Sequence, residues 1–91
     1  MNIDELRERL DALFPQLVDE LSQLVAIPSV SSDPSHAVDV DRSAEHIRSR
    51  FEALGLDAQI HSVTTPEGVQ GKPAILARSP HIEGAPTVLL Y

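Results

Sequence analysis

Ala85-Pro86-Thr87-Val88-Leu89-Leu90-Tyr91 is a β-rich apolar run entered through a proline, and its reading decides the fold. It predicts a buried strand. In open α/β sheets the ligand crevice lies beyond the carboxyl ends of the strands, so a chain that stops at Tyr91 is expected to stop where a site would begin. The 91 residues are accordingly expected to be the amino-terminal portion of a larger enzyme, carrying scaffold and few of the groups that do chemistry.

Working back from that run, Ser79-Pro80-His81-Ile82-Glu83-Gly84 reads as a loop, and Ala74-Ile75-Leu76-Ala77-Arg78 as a second, more buried strand. Before it, Leu56, Ala58 and Ile60 alternate with Asp57, Gln59 and His61, the period-two pattern of a half-buried strand running to about Val63. Thr64 to Gly68 and Gly71-Lys72-Pro73 make a turn-rich connection, so these two strands are expected to form a hairpin. Gly71-Lys72 is not a phosphate loop, because it lacks both the upstream glycine and the following hydroxyl residue of that pattern.

Two helices precede the strands. Leu6, Leu10, Leu13, Leu17, Leu21 and Leu24 recur at spacings of three and four, widened by Phe14, Val18 and Val25, and predict an amphipathic helix from Ile3 to Ala26. Glu5 and Arg9 offer one i,i+4 pair on it. Pro15 costs an interior backbone bond, about 3 kcal/mol, but the stripe keeps its phase across it, which favours one kinked helix over two short ones. The stripe is expected to pack on the protein's own sheet. Val40, Ala44, Ile47, Phe51 and Leu54 predict a second helix over Asp39 to Leu54, capped by Asp39 or Asp41 and closed by Gly55.

The fold class expected is therefore α/β: two amphipathic helices and about three strands forming the start of a mixed sheet. No repeat or low-complexity tract divides residues 1–91, so they are one unit, and its strand edges would lack partners.

Composition narrows the function. Seven basic and fourteen acidic residues give a net charge of −7 with no basic cluster, which argues against nucleic acid and anionic membranes. The absence of cysteine removes disulfides and thiol chemistry, and no run approaches the ~20 apolar residues of a membrane span. The charged start, with no apolar leader, predicts a cytoplasmic protein.

Candidate chemical groups are few. Ser29 and Ser31 have no G-x-S-x-G elbow or adjacent His base, so they read as loop and cap hydroxyls. Asp33, His36, Asp39 and Asp41 gather before the second helix, but without a defined metal-ligand spacing they read as capping. His46 reads as a solvated helix residue, His61 as facing solvent on its strand, and His81 as a loop residue.

Four segments in order carry a resemblance: Leu24-Val25-Ala26-Ile27-Pro28-Ser29-Val30-Ser31 after a long amphipathic helix, Ala53-Leu54-Gly55-Leu56 ending the second helix, Gly71-Lys72-Pro73-Ala74, and Ala85 to Tyr91. Together they resemble the start of the cocatalytic-zinc metallopeptidases, the family of carnosinases, aminoacylases, acetylornithine deacetylase and succinyl-diaminopimelate desuccinylase. The closing A-P-T-V-L-L-Y leans toward the dipeptidases. The resemblance implies residues 1–91 as the first part of a catalytic domain that hydrolyses dipeptides or short peptides, with two zinc ions or other divalent metals bound by the full-length enzyme. It also implies homodimerisation through a smaller inserted domain. In the family the strand matching Thr87 to Tyr91 leads into a Gly-His-x-Asp element, so the resemblance places no catalytic, cofactor or metal-binding residue within 1–91, and the segment alone is expected to be inactive. Its partners would be a small peptide and the remainder of its own catalytic domain. The alternatives are a deacylase or desuccinylase of the same family, or a non-enzymatic module whose Leu6 to Leu24 stripe meets a partner.

Overall fold

A computed structural model describes all residues, 1–91. Helix α1 spans Ile3–Val25 and α2 spans Ala37–Ala53; strands β1, Asp57–His61, and β2, Ala74–Arg78, follow. A single 3-10 turn, Pro34–His36, leads into α2. The fold is a small mixed α/β arrangement of two helices and a two-stranded antiparallel sheet, with α2 alone packed on the sheet.

Helix α1 starts on a reciprocal cap: the Glu5 amide donates to the Asn2 side chain at 2.9 Å, and the Asn2 amide donates back to the Glu5 carboxylate at 3.4 Å. Two otherwise unpaired amides are satisfied there, and Glu5 is thereby committed to the cap rather than to the expected pair with Arg9. The helix continues through Pro15 without interruption, as the unbroken stripe phase predicts.

Helix α2 starts two residues earlier than Asp39. α2 has no side-chain cap of its own; Asp33, not Asp39 or Asp41, caps the 3-10 turn that leads into it, accepting from the Ser35 amide at 2.9 Å and the Ser35 hydroxyl at 2.8 Å. Pro34 pre-sets the turn backbone, which carries the start of the helical path back to His36 and Ala37. At the other end Gly55 takes φ +85°, and its amide donates to the Glu52 carbonyl while Leu56 donates to Phe51. This paired closure uses the left-handed conformation that glycine adopts without a Cβ penalty, as expected for Gly55.

In the hairpin, Asp57 pairs with Arg78, Ala58 with Ala77, Gln59 with Leu76, Ile60 with Ile75 and His61 with Ala74. Alternation then turns Ala58, Ala77, Ile60 and Ile75 to one face, and α2 packs against both strands. Ala44 of α2, 4% exposed, and Ala58 of β1, 5% exposed, are the only buried residues. Small side chains let helix and strand approach closely, but they contribute little buried area.

Three expectations need correction. β1 ends at His61 rather than Val63; beyond it the chain makes only an isolated bridge between Thr64 and Gln70, closing over a turn in which Gly68 takes φ +86°. β2 is half-buried rather than buried: Ile75 and Ala77 are half-covered by α2, and its Leu76 face carries no covering layer. Thr87–Tyr91 forms no strand: Gly84, at φ +79°, reverses the chain, and the run then lies beside β2 across a groove without backbone pairing. A short run with one potential neighbour gains too little to fix an extended conformation, so the three-stranded mixed sheet is absent.

The leucine stripe is also placed otherwise than expected. α1 touches α2 and not the sheet, leaving Leu6, Leu10, Leu13, Leu17 and Leu21 exposed. Glu20 meets Arg50 of α2 at the crossing, and Leu24 is half-buried there. The inner face of the hairpin is occupied by α2.

Candidate functional site

Polar side chains converge in one place, the entry to α2. Asp33 caps the 3-10 turn and brings His36 to the helix start, where one turn of helix sets Asp39 beneath it. His36 Nδ1 lies 2.9 Å from Asp39 Oδ2, and Arg42 Nη1 donates to Asp39 Oδ1 at 2.7 Å. The Asp39 side chain is 19% exposed and keeps its carboxylate form: the His36 hydrogen bond, aided by the Arg42 guanidinium, holds its pKa below the usual range against the opposing effect of partial burial. Asp33 is likewise lowered, by the Ser35 hydroxyl and then the Ser35 amide.

These contacts decide what the cluster can do. Both oxygens of Asp39 are taken, one of them by a guanidinium that opposes a nearby metal cation. Asp33 is used in capping, and Asp41 faces a separate hollow lined by Val38, Ala44, Ile60 and Pro73. No three His, Asp or Glu side chains are arranged to hold a metal ion. The residues present therefore do not fit a divalent metal.

The remaining candidates are dispersed. Ser29 and Ser31 sit exposed in the loop after α1, where the Ser29 amide donates to the Ile27 carbonyl at 2.7 Å. His61 stands exposed on the outer face of β1, and His81 is exposed in the loop after β2. His46 differs from expectation: it is half-buried rather than solvated, because α1 crosses α2 there and brings Glu20 near enough for its charge to be felt. Gly71 is structural. Its amide donates to the Val63 carbonyl at 2.7 Å, so close that a Cβ at this position would lie 2.8 Å from the same oxygen.

The largest hollow, 680 Å³, separates β2 from the chain at Ala85–Leu89 and is walled in part by Arg78, His81 and Thr87. Those three polar side chains make no hydrogen bonds to one another and form no acid–base pair. Sequence reasoning missed the Asn2–Glu5 cap and the His36–Asp39–Arg42 chain. Both were legible as an Asn three residues before a Glu and as i,i+3 spacing of opposite charges. No helix is long and apolar enough to cross a membrane. No family model, curated protein or solved structure matches the chain.

Proposed function

We propose that residues 1–91 are scaffold of a metal-dependent dipeptidase that hydrolyses the amide bond of dipeptides or short peptides, its metal ligands and general base lying outside these residues. The observation that carries this reading is the ordered set of four segments, Leu24–Ser31, Ala53–Leu56, Gly71–Ala74 and Ala85–Tyr91, behind a long amphipathic helix. Two features of the hairpin support it. Both sheet edges are bare, and Leu76 projects from an uncovered outer face, surfaces that further strands and a covering layer would satisfy. In this reading Thr87–Tyr91 joins a larger mixed sheet once those strands are present.

The test is hydrolysis of a dipeptide panel by the product of the complete reading frame that contains residues 1–91, with and without a chelator. Chelator-sensitive cleavage of unblocked dipeptides is expected. Cleavage of acyl-amino acids alone would transfer the assignment to the deacylases, and no hydrolysis of either class would overturn it. A second reading, a helical interaction module, is favoured by one observation: the α1 stripe is uncovered.

A further inference from the structure

We infer that α1 is a self-association surface, on which a second copy of this chain lies antiparallel over Leu6–Leu17. This goes beyond the catalytic reading and does not rest on it. Leu6, Leu10, Leu13 and Leu17 are 56%, 54%, 48% and 42% exposed, and their spacing of four, three, four reads the same in both directions. An antiparallel copy therefore matches layer for layer, Leu6 against Leu17 of the second copy and Leu10 against Leu13, the self-complementary condition of a two-fold contact.

The flanks of that seam select for it. Positions beside the leucines hold Arg7, Arg9, Phe14 and Gln16, whereas Asp4, Glu5, Glu8 and Asp11 fall on the outer positions. The acidic residues of a chain with net charge −7 are thus kept out of the contact, and Arg7 of each copy is set against the ring of Phe14 of the other. Pro15 is at the outermost position, so its missing amide and ring stay clear of the seam. The seam ends where Glu20 occupies the next core position and turns to Arg50 of α2, so the second helix is accommodated before the crossing. Covering eight leucines and two phenylalanines would remove at most roughly 1,000 Å² from water, at the lower bound for a specific interface.

Sedimentation equilibrium on the 91-residue chain tests this. The mass should rise from 9.9 kDa toward twice that value between low-micromolar and near-millimolar concentrations. Leu10→Asp should weaken the pairing by roughly 100-fold or more while leaving α1 helical by circular dichroism. Because the chain has no cysteine, orientation can be read directly: Leu6→Cys and Leu17→Cys chains should cross-link when mixed and not singly. A monomer throughout, a dimer that survives Leu10→Asp, or self-linking of Leu6→Cys alone would overturn the proposal.

Discussion

At the scale of single residues, the structure turns on side chains that fix backbone. Gly71 approaches the Val63 carbonyl so closely that Gly71→Ala forces the two arms of the hairpin connection apart; a loss of about 1–3 kcal/mol is expected by denaturant unfolding, and an unchanged midpoint would contradict the close approach. Asp39 gives a pH dependence. Its folded pKa is lower than its unfolded value of about 3.9, so its contribution is complete above that value and is lost as pH falls through the folded pKa. Helicity should therefore drop on acidification below about pH 4, and Asp39→Asn should remove part of that drop; an identical acid limb in the variant would refute the role of the His36 and Arg42 contacts. Gly55 was legible because only a left-handed closure suits a glycine one past a helical stripe. Asp33 was harder to place, since Asp33, Asp39 and Asp41 are equally good caps until Pro34 decides where the turn begins.

At the scale of elements, period told helix from strand, while partners decided which predicted elements exist. The four-three spacing of α1 and the alternation from Leu56 to Ile60 report on a local face, and both helices and the hairpin form where those patterns put them, with α2 and β1 shifted by one or two residues at their ends. Thr87–Tyr91 has the composition of a strand, but a strand is completed by hydrogen bonds from a neighbour, and composition does not say whether one is there. The same logic governs the stripe: sequence shows that six leucines share a face and is silent on what covers it. Pro15 supplies a test at this scale. It leaves the Asp11 carbonyl without its helical donor, so Pro15→Ala should stabilise α1, slowing amide hydrogen exchange in its central turns by roughly tenfold or more. Unchanged exchange would mean that the helix opens by fraying rather than at the proline.

At the scale of the whole molecule, two buried alanines make a small core against the conformational entropy of 91 residues, so the folded state is marginal. The extents of 52 × 35 × 18 Å reflect a long helix projecting from a small helix-on-hairpin unit. Thermal unfolding should be broad, with an enthalpy well under the ~0.7 kcal/mol per residue of ordinary globular domains; a sharp transition of full enthalpy would contradict the open arrangement. The candidate site was legible only in the negative at this scale: the acidic residues before α2 looked like capping, and the structure assigns them to capping and to a His36–Asp39–Arg42 chain. The catalytic reading thus stands on segment order and on uncovered surface. The measurement that tests it most directly is zinc stoichiometry by calorimetry at neutral pH, on the 91-residue chain and on the product of the complete reading frame. The expected result is about two zinc ions per subunit for the complete product and no tight zinc on the 91 residues. Stoichiometric tight zinc on the 91-residue chain, or none on the complete product, would contradict it.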